Sequence, residues 1–386
     1  MASRRVRKTY LCIRLLRAVL RAVPSLLPKV RRLVFGEAIV CVFGGHGGEA
    51  FDDNSRALAL YYAQDPKAKV YWISKSGKVF DANKHPKIKQ LKRNSFRAEF
   101  TYNLCNLAFY SHGLSDLTTR KHTQLTWRVL VHLSHGVEGF KKCARFKVGV
   151  DDIAFDYTIS CSHWQTGVKK TRFGIDSSKF IPSGLPKHDR LIQRKRNQRT
   201  STEIHEVLYM PTWRDWLSRR PTLQSVEKHI EGIVEAMPET DNSGRKFKIT
   251  LVVHKNSREI LDDLRDRISN APKVEICLSH KVNLANIIEG HSSLITDYSS
   301  VFWDFILLGK PAVRFPFDET IYDWITGAYK EATDCTKDVT FRTPQKVWDY
   351  ISNPQHTSQH DLAEKWMEYS QGYSCKYIKD FLSKKI

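Results

Sequence analysis

Short apolar runs alternate with longer amphipathic segments along most of this chain. Glu37–Phe43 (EAIVCVF) is an apolar run followed by glycines, which predicts a buried strand. A glycine-rich loop comes next, and then a helix that begins near Asn54 or Ser55, either of which can cap it. Lys69–Ile73 predicts the following strand. The order strand, loop, helix, strand is typical of a parallel sheet with crossover helices.

The alternation continues towards the C-terminus with one interruption. Residues 187–205 are polar and basic without an apolar period, which predicts a linker or an exposed boundary. Further strands are predicted at Gln124–Leu133, Tyr157–Cys161, Lys179–Ser183, Glu206–Met210, Phe247–Val253, Ser293–Thr296 and Ala312–Phe315, and helices at 225–237, Leu284–Glu289 and Ser299–Leu308. We therefore expect two doubly wound α/β domains facing a cleft, with ligands at the carboxyl ends of the strands.

The first 35 residues follow a different pattern. Arg14, Arg17 and Arg21 interrupt an apolar run at helical spacing, which is unlike a signal peptide, and Pro24 and Pro28 are expected to break or redirect the segment. A basic amphipathic helix of this kind lies on an anionic bilayer. The alternative is a solvated arm or a helix packed on the protein body. A nucleic-acid-binding arm is less favoured because aromatic residues that stack on bases are scarce.

Composition narrows the class of protein. A length of 386 residues with 41% hydrophobic residues suits two globular domains. The net charge of +21 favours polyanionic partners, namely nucleic acid, anionic lipid or phosphorylated substrates. Eight scattered cysteines without a CxxC pair argue against a zinc site or a disulfide framework. The chain has no apolar stretch of 18 or more residues, so no transmembrane helix is expected.

A hydroxyl-rich turn between a short strand and a helix is the strongest local signal. Thr296, Asp297, Ser299 and Ser300 lie where backbone N–H groups and the positive end of the helix dipole are available to an anion. These groups form a candidate phosphate cradle. An ordinary helix cap by Asp297 or Ser299 is an equal alternative.

Two further strand ends carry candidate chemistry. Thr212 and Arg214 follow a strand that ends at Pro211, where an arginine can hold a phosphate with two hydrogen bonds, although a plain surface turn is the alternative. His135 and His254 each follow a strand in a different half, and either can accept a proton from an attacking hydroxyl. They are expected to converge across one cleft.

The glycine-rich loop around His46 can bring its backbone close to a ligand. It lacks the GxGxxG spacing of a dinucleotide site, however, and the chain has no GxxxxGK[ST], HExxH or GxSxG motif.

Five segments, in order over residues 38–330, together resemble the CDP-glycerol:poly(glycerophosphate) glycerophosphotransferase family. The closest correspondences are Pro211–Asp215 (PTWRD) and Thr296–Ser300 (TDYSS). Weaker ones are Gly44–Leu58, Ser134–Gly136 (SHG) and Ser183–Asp189 (SGLPKHD). Two positions depart from the family pattern: Ser134 replaces a tryptophan and Lys187 an arginine.

The resemblance implies a GT-B-like α/β fold and transfer of glycerol phosphate, or a related polyol phosphate, from a CDP-activated donor to a lipid-linked or polymer acceptor. It implies that His135 and His254 are catalytic. The implied donor-binding residues are Thr212, Arg214, Thr296, Asp297, Ser299 and Ser300, and the supporting ones are Gly136, Lys187, Asp189, Asn54 and Arg56. No cofactor and no metal site is expected, although a divalent metal and the oligomeric state are left open. Nucleic acid is not expected as a partner.

The predicted organisation has four parts. Residues 1–35 form a membrane-associating arm, 36–190 an acceptor domain, 205–360 a donor domain, and 361–386 a C-terminal helix packed back on the acceptor domain. The expected location is the cytoplasmic face of the cell membrane, where the protein is peripheral. The rival hypotheses are a GT-B glycosyltransferase that uses a nucleotide sugar and, more remotely, a non-enzymatic basic protein that binds membrane or nucleic acid.

Overall fold

The structure, a computed structural model, describes residues 26–119, 127–142, 154–195, 203–218, 220–254, 264, 268, 273–279, 282, 284–353 and 359–386. Most of the predicted basic arm, up to residue 25, lies outside the described residues. Among the helices that the structure describes, none is long and apolar enough to cross a membrane.

The chain divides into two compact units. Unit 1 holds the described residues up to His135, those between Phe146 and Arg190, and Glu368–Ile386. Unit 2 holds the described residues from Gly136 to Arg145 and from Leu191 to Met367.

Unit 1 contains a parallel seven-stranded sheet in the order β3-β2-β1-β4-β5-β6-β7. Its strands are β1 (Ile39–Phe43), β2 (Ala68–Ser74), β3 (Ile88–Lys92), β4 (Leu107–Tyr110), β5 (Val129–His132), β6 (Tyr157–Ser160) and β7 (Phe180–Pro182). The strand order reverses between β1 and β4. A reversal of this kind opens a crevice at the carboxyl ends of the two strands.

The helices of unit 1 flank this sheet in chain order. They are α1 (Leu26–Phe35), α2 (Asp53–Tyr62), α3 (Phe96–Leu104), α4 (His163–Phe173), α5 (Pro186–Lys195), which crosses the division at residue 190, and α13 (Ser374–Ser383). Helix α13 is tied to the unit by an ion pair of 2.6 Å between Lys379 Nζ and Asp65 Oδ2.

Unit 2 contains a parallel five-stranded sheet in the order β10-β9-β8-β11-β12. Its strands are β8 (Ile204–Met210), β9 (Lys246–Val253), β10 (Val274–Leu278), β11 (Ser293–Thr296) and β12 (Ala312–Arg314). Its helices are α6 (Arg220–Glu235), α7 (Leu284–Gly290), α8 (Val301–Leu308), α9 (Glu319–Ile325), α10 (Lys330–Cys335), α11 (Pro344–Ser352) and α12 (His360–Trp366). Here the strand order reverses between β8 and β11. The predicted α/β class with two doubly wound sheets is confirmed.

Aromatic packing explains why the residues after His135 belong to unit 2. The Phe140 ring stacks on Trp303 with a centroid separation of 5.1 Å, and the Arg314 guanidinium lies 4.3 Å from the Phe140 ring centre. The Tyr322 hydroxyl donates a 2.9 Å hydrogen bond to the Phe140 carbonyl. The chain therefore enters the core of unit 2 directly after His135.

One local prediction was wrong. Helix α2 is capped by Asp52, whose side chain accepts from Asp53 N, and not by Asn54 or Ser55, because those two side chains are buried and bonded elsewhere. Pro28 lies within α1, while Pro24 and the segment before it lie outside the described residues. Residues 187–195 of the predicted linker or boundary are helical, as part of α5, and the division between the units falls within this helix.

Candidate active site

Each unit carries a cluster of polar side chains at the carboxyl ends of the two strands where its sheet order reverses. In unit 1, the loop after β1 holds His46 and the loop after β4 holds His112. In unit 2, the loop after β8 holds Thr212 and Arg214, and the turn after β11 holds Asp297.

Three histidines form a row in unit 1. The rings of His46 and His112 have a centroid separation of 4.3 Å, and those of His112 and His135 stack at 4.9 Å. The pKa of His112 is lowered to about 4, chiefly by burial of its ring and also by the neighbouring His46, while Asp116 opposes the shift. His112 is therefore neutral at pH 7. His135, the predicted base, is exposed at the end of the row.

One buried carboxylate holds the two loops of this row. Asp116 Oδ1 accepts from Gly47 N at 2.6 Å, and Asp116 Oδ2 accepts from Ser111 N at 3.0 Å and His112 N at 2.9 Å. Because these donors come from the loops after β1 and β4, Asp116 fixes His46 and His112 relative to each other. The sequence analysis missed both Asp116 and His112.

Asn54 supports the loop that carries His135. Its Nδ2 donates to the carbonyls of Leu133, at 3.3 Å, and Ser134, at 3.0 Å, while its Oδ1 accepts from Lys187 N at 3.1 Å. Ser134 has a φ of 53°, a left-handed conformation that a serine rarely adopts. The structure thus brings together three residues that the sequence analysis singled out: His135, Asn54 and Lys187.

The contacts of two other predicted supporting residues are with different groups. Asp189 accepts from Ser374 N at 2.7 Å and Cys375 N at 2.8 Å, so it holds the start of α13. Arg56 lies over the Phe51 ring, 5.5 Å from its centre.

Arg214 is the centre of the cluster in unit 2, and it is only 4% exposed. Its Nη1 lies 2.8 Å from Asp297 Oδ2 and its Nη2 lies 2.7 Å from Asp318 Oδ1. Burial lowers the pKa of Arg214, but the two carboxylates outweigh it, and the net shift is upward. Arg214 is therefore charged and enclosed between two carboxylates.

Asp297 also organises the backbone of both loops. Its Oδ1 accepts from Thr212 N at 2.9 Å and from Tyr298 N at 2.6 Å. The Thr296 hydroxyl donates to the Met210 carbonyl at 2.6 Å, which ties β11 to β8. Within the described residues the buried Thr212 hydroxyl oxygen has no hydrogen-bond partner. A buried polar atom of this kind needs a partner, and a bound ligand can supply it.

Two hydroxyl side chains lie at the start of α8. Ser299 and Ser300 are partly exposed, and Ser300 makes no side-chain capping bond. Ser299 Oγ accepts from Val301 N at 3.3 Å, so this hydroxyl does cap the helix. Asp297, the other predicted cap, bonds instead to Thr212 N and Tyr298 N.

His254 follows β9 in unit 2. Its ring stacks on that of Trp213 with a centroid separation of 5.4 Å, next to the Thr212 and Arg214 loop. The convergence of His254 with His135 stays a prediction.

Comparisons with known proteins identify relatives of this chain. The model of the CDP-Glycerol:Poly(glycerophosphate) glycerophosphotransferase family matches residues 29–384. The chain is 23% identical, over 89% of its length, to a teichoic acid poly(glycerol phosphate) polymerase of Staphylococcus epidermidis, of which it spans 50%. It is 21% identical, over 75% of its length, to a teichoic acid glycerol-phosphate transferase of Staphylococcus aureus, of which it spans 77%.

A solved structure shares the fold. The wall teichoic acid polymerase TagF superposes with a TM-score of 0.68 at 20% identity, and the match covers 96% of each chain. The likeness supports the predicted GT-B-like fold for this chain.

Proposed function

This chain belongs to the CDP-glycerol:poly(glycerophosphate) glycerophosphotransferase family, and from that premise we propose that it transfers glycerol phosphate from CDP-glycerol to a hydroxyl of a lipid-linked or polymer acceptor. The acceptor oxygen attacks the β-phosphorus, the bond from that phosphorus to the bridging oxygen breaks, and CMP leaves with the bridging oxygen. The product is a teichoic acid or capsule-type polymer.

The arrangement of the loops after β8 and β11 carries this proposal. The Thr212 hydroxyl, which is buried without a partner among the described residues, lies in the same cluster as Asp297, and the partly exposed Ser299 and Ser300 follow at the start of α8. This combination suits a diphosphate, whose oxygens need hydrogen-bond donors and positive potential. A structure of a histidine variant of TagF was obtained with CDPG, which supports the same donor class here.

In this proposal Thr212, Ser299 and Ser300 contact the donor directly. Arg214, Asp297 and Thr296 hold those contacts in place, because their polar groups are committed to neighbouring side chains and backbone. Positioning, and hydrogen bonds to the phosphate oxygens at the positive end of the α8 dipole, then supply most of the rate, as phosphoryl transfer needs little covalent chemistry from the protein.

His135 acts as the general base. It takes the proton of the acceptor hydroxyl as the oxygen attacks, and its exposure at the end of β5 leaves it accessible to a large acceptor. His254, stacked on Trp213, assists at the donor phosphates.

A lipid-linked acceptor requires the protein to act at the cytoplasmic surface of the membrane. In helix α1, Leu33 is 88% exposed and Val30 and Val34 are also exposed, beside the basic residues Lys29 and Arg32. Apolar side chains next to basic ones suit the interface of an anionic bilayer.

A donor panel tests the proposal. CMP release is measured from CDP-glycerol, CDP-ribitol and nucleotide sugars with a membrane lipid extract as acceptor. We expect release from a CDP-polyol, lost in His135→Ala and retained in His163→Ala, which removes an exposed histidine from the same unit. Nucleotide release only from a nucleotide sugar would replace the proposal with glycosyl transfer.

A further inference from the structure

We infer that His46, Asp53 and His112 form a binding site in unit 1 for a divalent transition-metal ion of the zinc class. We call these residues the His46–Asp53–His112 cluster. It lies where the order of the unit 1 sheet reverses, since His46 follows β1, His112 follows β4 and Asp53 begins α2.

The ligand atoms are already near one another. Each residue offers one atom, a ring nitrogen or a carboxylate oxygen, and the three atoms all lie within 4.8 Å of one another. Ligand atoms around a tetrahedral zinc ion are about 3.3 Å apart, so the gaps must close by at most about 1.5 Å. His46 is exposed, and the His112 ring reaches the surface at one edge although most of it is packed, so rotation of the two side chains can supply that movement.

The backbone that carries these side chains is held in a fixed conformation. His46 has a φ of 49° and Asp53 a φ of 62°, both in the left-handed region. Such a conformation costs a histidine or aspartate on the order of 1 kcal/mol or more, so the surrounding structure must impose it. The buried Asp116 carboxylate holds the loops of His46 and His112 together through Gly47 N and His112 N.

The donor set selects the kind of ion. Two imidazoles and one carboxylate suit zinc and its neighbours, whereas magnesium and calcium prefer oxygen ligands alone. Three protein ligands leave a coordination position for a water or a phosphate oxygen. Lys187 Nζ lies 3.9 Å from Asp53 Oδ1, beyond hydrogen-bond distance. This ammonium group must move away from Asp53 when the ion binds, because the two cations repel each other. The sequence analysis expected no metal site, so this inference departs from that expectation.

Calorimetric titration of the tag-free full-length chain with zinc chloride tests the inference. We expect one ion per chain, and binding at least about tenfold weaker in His46→Gln, His112→Gln and Asp53→Asn. Asparagine tolerates the left-handed backbone, so Asp53→Asn removes the charge without new strain. His163→Gln is the matched control, because it removes an exposed histidine beside a carboxylate elsewhere in unit 1. Unchanged binding in all three variants would overturn the site.

X-ray absorption at the zinc edge on the wild-type chain keeps the test independent of variant folding. Two imidazole ligands and one or more oxygens are expected. Sulfur ligands, or fewer than two imidazoles, would place the ion elsewhere and refute the assignment.

Discussion

Gly136 and Ser300 approach so closely that a Cβ atom on residue 136 would lie 2.5 Å from Ser300 Oγ and 2.9 Å from Ser300 Cβ. Gly136 directly follows the proposed base in the chain, and Ser300 begins the proposed anion cradle of unit 2. The glycine is therefore required by packing, because any side chain here would push on the start of α8.

Gly136→Ala should destabilise the protein by about 1–3 kcal/mol, the usual cost of overpacking a close contact. Urea unfolding measures the effect. Gly167→Ala is the control, since Gly167 lies in α4 with no atom within 4 Å of an added Cβ. Adding Ser300→Gly to Gly136→Ala should restore stability, and a double variant no more stable than Gly136→Ala would show that the close approach is not the cause.

Asp318→Ala should cost about 3–5 kcal/mol of unfolding free energy, because it leaves the enclosed Arg214 with one carboxylate fewer. The matched control is Glu319→Ala at the adjacent position, where the exposed ion pair with Arg342 is worth at most about 1 kcal/mol. Chemical denaturation of both variants checks the contrast. Equal losses would mean that the buried pair contributes no more than a surface pair.

Stability should fall as the pH falls from about 6.5 to about 3, in part because of His132. Burial lowers the pKa of His132 to about 3, with a smaller contribution from Lys169. The unfolded chain therefore binds a proton in this range that the folded chain does not, which favours unfolding by on the order of 4 kcal/mol.

Unfolding free energies measured from pH 7 to pH 3 test this contribution. His132→Gln should flatten the pH dependence although it weakens the protein at pH 7, where the buried ring contacts Thr158 and Tyr110. His163→Gln removes an exposed histidine and should keep the wild-type slope. A His132→Gln slope equal to that of the wild type would show that other groups cause the acid sensitivity.

Leu33→Ser should reduce binding to anionic phospholipid vesicles about tenfold, because this exposed leucine of α1 would lose its burial in the bilayer interface. Co-sedimentation with vesicles at two salt concentrations measures it, and binding of the wild type should weaken at high salt. Tyr373→Ser, at another exposed apolar position, should bind normally. Equal loss in both variants would argue against a specific role for α1.

The strands that the apolar pattern predicted are mostly central in their sheets. Those it missed include β3 and β10, which are edge strands. An edge strand carries exposed positions, as in β3, where only Ile88 is buried. Strand β4 was also missed, although it is a central strand whose four residues are all buried. Position within the sheet, which local sequence does not encode, thus accounts for β3 and β10 alone.

The candidate site shows the same limit. His112 was not predicted because the strand before it, β4, was not predicted. Its triplet Ser111-His112-Gly113 nevertheless has the same sequence as Ser134-His135-Gly136, which was predicted to carry the base. Since β4 and β5 pair in parallel, the repeat places the two histidines side by side. For Arg214 the position was predicted but not its environment, because the two carboxylates beside it come from distant parts of the chain.

The mass of the acceptor after reaction tests the central claim most directly. A lipid-linked acceptor is incubated with the chain and CDP-glycerol, and both the acceptor mass and the CMP formed are measured. We predict a gain of one or more glycerol phosphate units, with one CMP for each unit, and neither change in His135→Ala. CMP formation with an acceptor of unchanged mass, or an acceptor that gains mass only from a nucleotide sugar, would contradict the account.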